Sequence, residues 1–185
     1  QPGAMPDGLE RIAEGIEPLL DRPFALLGHS LGGLLAFEVA RDLRNHGLAP
    51  KHLFICGTPA PQLPRTAPPV HNLPDEELLA YLKELDGTPD RVLNEGWLRA
   101  TYLPVLRDDL KVYETYLYAR DAPLSCPVTT WGGVDDRRVT EASLLAWKDQ
   151  TRGSFTHAMF SGGHFFLDSL AAELGERIST TLLSA

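Results

Sequence analysis

Residues 24–40 read FALLGHSLGGLLAFEVA: a short apolar run, a glycine-flanked turn with Ser30 at its apex, and an apolar-periodic segment. The pattern predicts a strand over Phe24–Leu27, a tight turn over Gly28–Gly33 and a helix to about Arg44. Gly47, just past the end of that helix, suits a left-handed C-terminal cap. The run HLFICGT at 52–58 reads as a second buried strand. Strand, helix and strand in this order make a right-handed crossover unit, so the fold class is α/β with a mostly parallel sheet.

Outward from this unit, the segment DGLERIAEGIEPLL at 7–20 places Leu9, Ile12, Ile16 and Leu20 at helical spacing, with Asp7 as N-cap. Beyond the second strand, PAPQLPRTAPP at 59–69 carries too many prolines for regular structure. Helical segments follow. LPDEELLAYLKEL places Pro74 at the first helical position and three acids in the first turn. EGWLRATYLPVL reads as a short helix stopped by Pro104, and LRDDLKVYETYLYA puts Leu106, Leu110, Tyr113 and Leu117 on one stripe. This all-helical block interrupts the strand and helix alternation and reads as an insertion over the sheet. The alternation resumes with the strand PVTTWGG, a helix over about 140–150, the strand FTHAMF and a closing helix over about 167–183.

The chain has 185 residues, 43% of them hydrophobic, which suits one core and one domain over 1–185. Its net charge of −8 argues against a nucleic-acid or anionic-membrane partner, since both need a broad cationic face. Cys56 and Cys126 lie at or beside apolar strand-like runs without metal-ligand spacing, which fits a reducing, cytoplasmic setting. No apolar run approaches the length of a membrane span.

The turn itself is G-x-S-x-G: Gly28, His29, Ser30, Leu31, Gly32. Between a strand and a helix, this arrangement exposes a serine hydroxyl at the carboxyl edge of a sheet, and the flanking glycines allow the turn to close. Ser30 is therefore the candidate nucleophile. The Leu31 N–H, at the positive end of the following helix, is the candidate oxyanion donor. His29 points away from its neighbour's hydroxyl and stands as a candidate substrate contact. Among six histidines, His164 in FSGGHFFLD follows a strand, is freed by two glycines and precedes a helix, so it is the candidate base. His46, His52, His71 and His157 read as surface or structural imidazoles. Asp135 and Asp136 both end the TTWGGVDDRRV strand, and either can orient the imidazole. The order Ser, Asp, His is that of α/β-hydrolases.

Five stretches carry a wider resemblance: RPFALLGHSLGGLLAFEVARDLR, LPDEELLAYLKEL, LPVLRDDLKVYETY, CPVTTWGGVDDRRV and FSGGHFFL. In order and spacing, from about Leu9 to the C-terminus, they resemble the type II thioesterases that accompany polyketide and nonribosomal peptide synthases. The resemblance implies an α/β-hydrolase fold with a helical lid at about 73–120, and it assigns the acid in GG-x-x-D to Asp136, with Asp135 as the fallback. Members of that family also carry first strands and a glycine-rich loop that supplies a second oxyanion N–H. By that comparison the chain reads as N-terminally incomplete.

The implied activity is hydrolysis of an acyl thioester on the phosphopantetheine arm of an acyl or peptidyl carrier protein, an editing role that needs no metal or organic cofactor. Carrier proteins are acidic, as is this chain, so docking calls for a local basic patch, for which Arg137 and Arg138 are candidates. Two rivals remain at this level. One is a carboxylesterase or lipase with the same triad. The other is a catalytically silent hydrolase-fold binding protein.

Overall fold

The computed structural model describes residues 5–85 and 95–184. Four strands, β1 (Leu26–His29), β2 (Leu53–Cys56), β3 (Val128–Gly133) and β4 (Phe155–Phe160), form one sheet in the order β1-β2-β3-β4. Every pairing is parallel, with Leu26 opposite Leu53, Leu53 opposite Val128, and Val128 opposite Phe155. All four strands thus end at the same edge.

Both faces of the sheet are covered, which is why β2 reads as an unbroken apolar run and not as an alternating one. Its side chains divide by the two-residue period. Leu53 and Ile55 join Val128, Phe37 and Ala40 of helix α2 (Leu31–Asn45), and Trp147 in one core. Phe54 and Cys56 join Trp131, Phe160, and Phe166 and Leu174 of the closing helix α6 (Phe166–Leu183) in the other. Burying each large apolar side chain contributes about 1.5–3 kcal/mol, so this two-sided cover is what holds the carboxyl edge in place.

Several local boundaries differ from the sequence reading. Helix α1 spans Met5–Ile16 and continues as a 3-10 turn over Glu17–Leu19, so Asp7 lies inside the helix and does not cap it. Strand β1 begins two residues later than Phe24 and runs to His29, which shrinks the turn to Ser30 alone. Gly47 adopts φ +76, and Leu48 N–H reaches the Leu43 carbonyl, the expected left-handed close of α2. The helix over 140–150 is a short α5 (Glu141–Leu145), capped by the Thr140 side chain, followed by a 3-10 turn over Ala146–Gln150.

In the helical block, Pro74 is the N-cap of α3 (Asp75–Glu84) and not its first helical residue. Pro104 does not stop a helix: α4 runs unbroken over Gly96–Thr115. A proline ring has helical φ, and its cost of about 3 kcal/mol comes from one lost backbone bond and a clash with the preceding turn. Leu103 and Leu110 offset that cost by packing with Leu78, Leu79 and Leu82 of α3 in a third apolar cluster. Leu117 lies past the end of α4 and is 87% exposed, so the predicted stripe ends at Tyr113. Residues 86–94 of the expected lid lie outside the described residues. Among the described residues, no helix is long and apolar enough to cross a membrane.

Candidate active site

Ser30 has φ +54 and ψ −121, the one non-glycine residue with positive φ among those described. Such a conformation costs a residue with a Cβ about 1–3 kcal/mol and persists only where the surroundings over-determine it. Here they do. The Ser30 N–H bonds the Cys56 carbonyl at 2.9 Å, and the Ser30 carbonyl accepts from Gly33 N–H at 3.0 Å. The Thr58 hydroxyl lies 2.8 Å from the same Ser30 carbonyl and 3.0 Å from that of Cys56. Thr58 is fully buried and comes from the end of β2, so the adjacent strand holds the turn. Sequence reasoning missed Thr58, which carries no motif.

The glycines divide the work differently from the motif's reading. A Cβ on Gly28 would lie 2.0 Å from the Gly32 carbonyl oxygen, so Gly28 is obligatory. A Cβ on Gly32 would meet nothing within 4 Å, whereas one on Gly33 would lie 2.3 Å from Thr58 Oγ1. The steric demand after the serine therefore falls on Gly33, outside the G-x-S-x-G spelling. Leu31 opens α2, and the first N–H groups of a helix have no acceptor within it.

Asp136 and His164 meet at the same edge. His164 Nδ1 lies 2.7 Å from Asp136 Oδ2, and the Asp136 side chain is 1% exposed. The other carboxylate oxygen accepts from the N–H groups of Arg138 at 2.9 Å and Val139 at 3.3 Å. Burial works to raise the pKa of Asp136, but the hydrogen bonds from His164 and these two N–H groups outweigh it and hold the carboxyl below its ordinary value. A carboxylate facing Nδ1 requires the Nδ1–H tautomer, which leaves the Nε2 lone pair free. Asp135 is exposed, with its N–H bonded to the Gly162 carbonyl, so of the two candidates the fold brings Asp136 to the histidine.

Two glycine contacts bring these loops together. A Cβ on Gly133 would lie 2.3 Å from the Gly163 carbonyl oxygen and 2.4 Å from that of Gly162. The end of β3 and the loop after β4 thus press backbone to backbone. Gly57, at φ +57, instead leaves room for two rings on the other side: a Cβ there would lie 3.0 Å from His29 Nε2 and 3.5 Å from His164 Cε1. The histidine ring accordingly sits over the end of β2, beside the serine turn.

His29 Nε2 lies 2.8 Å from the His164 carbonyl oxygen, and the two rings are 4.8 Å apart. The His164 loop therefore engages this ring nitrogen of the residue the sequence reading offered as a substrate contact. Burial lowers the His29 pKa, which keeps the ring neutral as the donor of that bond. The remaining histidines have local partners: His46 with Asp42, His52 with Thr129, His71 with Glu114 and His157 with Glu141. Among the described residues, no three His, Cys, Asp or Glu side chains cluster as a metal site.

A parallel sheet covered on both faces, with a serine on a strained strand-to-helix turn, is the α/β-hydrolase fold. Comparison with known proteins narrows the class. A model of the thioesterase domain matches residues 4–182, and the chain belongs to that family. It is 45% identical over 160 residues to the gramicidin S biosynthesis protein GrsT of Aneurinibacillus migulanus, covering 86% of this chain and 62% of that protein. It is 41% identical over 178 residues to thioesterase PikA5 of Streptomyces venezuelae, covering 94% and 62%. The type II thioesterase BorB of the borrelidin biosynthetic cluster superposes with a TM-score of 0.83 at 38% identity, covering 94% of this chain and 73% of that one. The chain thus spans about three fifths of the length of these two curated relatives.

Proposed function

We propose that this chain is the thioesterase of a polyketide or nonribosomal peptide system, hydrolysing acyl thioesters from the phosphopantetheine arm of acyl or peptidyl carrier proteins as an editing step. The observation that carries the reading is the strained Ser30 at the same sheet edge as the buried Asp136 and His164 pair. The names of the relatives, a gramicidin S biosynthesis protein and a borrelidin-cluster type II thioesterase, support the pathway class.

In the mechanism, His164 Nε2 takes the Ser30 proton as the hydroxyl attacks the thioester carbonyl. The developing oxyanion meets the Leu31 N–H at the start of α2, where the helix dipole favours negative charge. His164 becomes an imidazolium, stabilised by the ionised Asp136 at 2.7 Å. Collapse of the tetrahedral intermediate expels the pantetheine thiolate, which His164 protonates. Water, deprotonated by His164, then attacks the acyl-serine and restores the free hydroxyl. We assign His29 a positioning role: its bond to the His164 carbonyl fixes the loop that carries the base. Helices α3 and α4, joined through their own apolar cluster, are the lid within a single domain, and the setting is cytoplasmic.

The test is the intact mass of an acylated carrier protein incubated with the full-length protein, beside Ser30→Ala. Loss of the acyl mass with the parent and its retention with the variant is the expected result. Equal turnover of a matched oxygen ester would move the reading to a general carboxylesterase. Retention of the acyl group across several chain lengths would overturn it in favour of a binding protein.

A further inference from the structure

A cleft of about 560 Å³ opens beside the serine turn. Leu34, one helical turn past Ser30, and Thr58 form its near wall. Arg65 of the proline-rich loop and Arg138 of the loop that follows Asp136 also line it. We propose that Arg65 and Arg138 form a recognition site for an anionic oxygen group of the thioester substrate, either the phosphate of the pantetheine arm or a carboxylate on the acyl group. This rests on the thioesterase reading above.

Both guanidiniums lie over tyrosine rings. Arg65 Cζ is 3.9 Å from the centroid of Tyr113, and Arg138 Cζ is 5.4 Å from that of Tyr81. A guanidinium held at an aromatic ring keeps its N–H groups, and their fork matches the paired oxygens of a carboxylate or phosphate. Among the described residues, neither arginine has a carboxylate within ion-pair distance. Elsewhere the chain supplies one: Arg41 pairs with Glu38, Arg44 with Asp121 and Arg107 with Asp75.

The carboxylate that does line the cleft is already engaged. Glu114 accepts from the N–H groups of Val70 at 2.8 Å and His71 at 3.1 Å, and it faces the His71 ring. It holds the end of the proline-rich loop against α4, and against its one negative charge the cleft carries two guanidiniums. In a chain of net charge −8, two guanidiniums without an ion-pair partner lining one cleft beside the serine turn mark a place for an anion. The arginine pair expected to dock a carrier is also divided: Arg137 is exposed, while Arg138 turns over Tyr81 and into the cleft wall.

The test compares the full-length protein with Arg65→Met, Arg138→Met and the double variant. Four thioesters serve as substrates: butyryl and succinyl groups, each on pantetheine and on 4′-phosphopantetheine. Losing charge-assisted hydrogen bonds should raise the KM of the anionic substrates relative to butyryl-pantetheine by about tenfold in the double variant. A penalty that follows phosphopantetheine whatever the acyl group assigns the site to the arm. One that follows succinyl on either arm assigns it to the acyl chain. Arg138→Lys keeps the charge without the fork and should fall between, which guards against a misfolded Met variant. A KM ratio unchanged across all four substrates overturns the proposal. Calorimetric titration with inorganic phosphate and with succinate provides a readout independent of turnover. If the parent hydrolyses none of the thioesters, anion binding lost in the double variant retains the site while the thioesterase reading falls, and equal binding in both removes the site as well.

Discussion

Exchange of Asp136 for Asn changes one atom and should disable the base by a route visible in the geometry. Asp136 Oδ1 accepts two backbone N–H groups, from Arg138 and Val139, which need an acceptor in the folded loop. The amide oxygen of Asn takes that place, and its NH2 then faces His164 Nδ1, where Oδ2 lay at 2.7 Å. Two donors cannot share that contact, so Nδ1 becomes the acceptor and the proton moves to Nε2. The nitrogen that must take the Ser30 proton then already carries one. The same exchange in a serine protease triad lowers turnover by about 10⁴, equivalent to about 5 kcal/mol in the barrier. The assay is kcat for release of an acyl group from its carrier at pH 7, with Asp135→Asn as the control, since Asp135 is exposed and should leave the rate unchanged. A loss under tenfold for Asp136→Asn would refute the tautomer argument.

The same residue predicts a pH signature in stability. Its folded pKa lies below the unfolded value of about 3.9, so its contribution is fully present above that value and lost as pH falls through the folded pKa. The Tm gap between parent and Asn variant should therefore narrow below about pH 4, and a gap that widened there would contradict the sign. Gly28→Ala, with a Cβ 2.0 Å from a carbonyl oxygen, should destabilise by at least about 1–3 kcal/mol, while Gly32→Ala should be neutral or gain up to about 1 kcal/mol; thermal melts of the pair decide it. Thr58→Val keeps the shape and removes the hydroxyl that steadies Ser30, which should cost about 1–3 kcal/mol and lower kcat more than KM changes. Cys56 and Cys126 are buried, and burial pushes their thiols up to about 12 and about 11, so a disulfide reagent at pH 8 should label neither until denaturant is added.

The parts of this site that were legible in the sequence are those whose constraint is local. Ser30 shows because a strand, a tight turn and a helix adjoin within a few residues, and His164 shows because two glycines free it after a strand. Asp135 and Asp136 could not be told apart from their position alone, since both follow β3. What separates them is the Asp135 N–H bonding Gly162, a contact between segments 27 residues apart in the chain. Thr58 and Gly33 were invisible for the same reason: Thr58 matters through the Ser30 carbonyl it bonds, and Gly33 through the room it leaves for Thr58. Pro104 misled the reading in the opposite way: its local cost is real, but Leu103 and Leu110 bind the helix to α3 on either side of it. The two helices α3 and α4 were thus read as three pieces. The parallel sheet followed more directly, because unbroken apolar runs such as LFIC admit little besides a strand covered on both faces.

The bond from His29 to the His164 carbonyl has a further meaning for how the proposed nucleophile and base keep their spacing. Ser30 and His164 come from segments more than a hundred residues apart, folded onto different strands, and errors in position would ordinarily accumulate through the sheet between them. Instead, the residue immediately before Ser30 is hydrogen-bonded to the backbone of His164 itself. Both are then dimensioned from one shared datum, as machined parts that must mate are measured from a common edge. On the proposed mechanism, a shift of β1 would carry His164 along with Ser30, so that breathing of the sheet would not open the gap the proton has to cross.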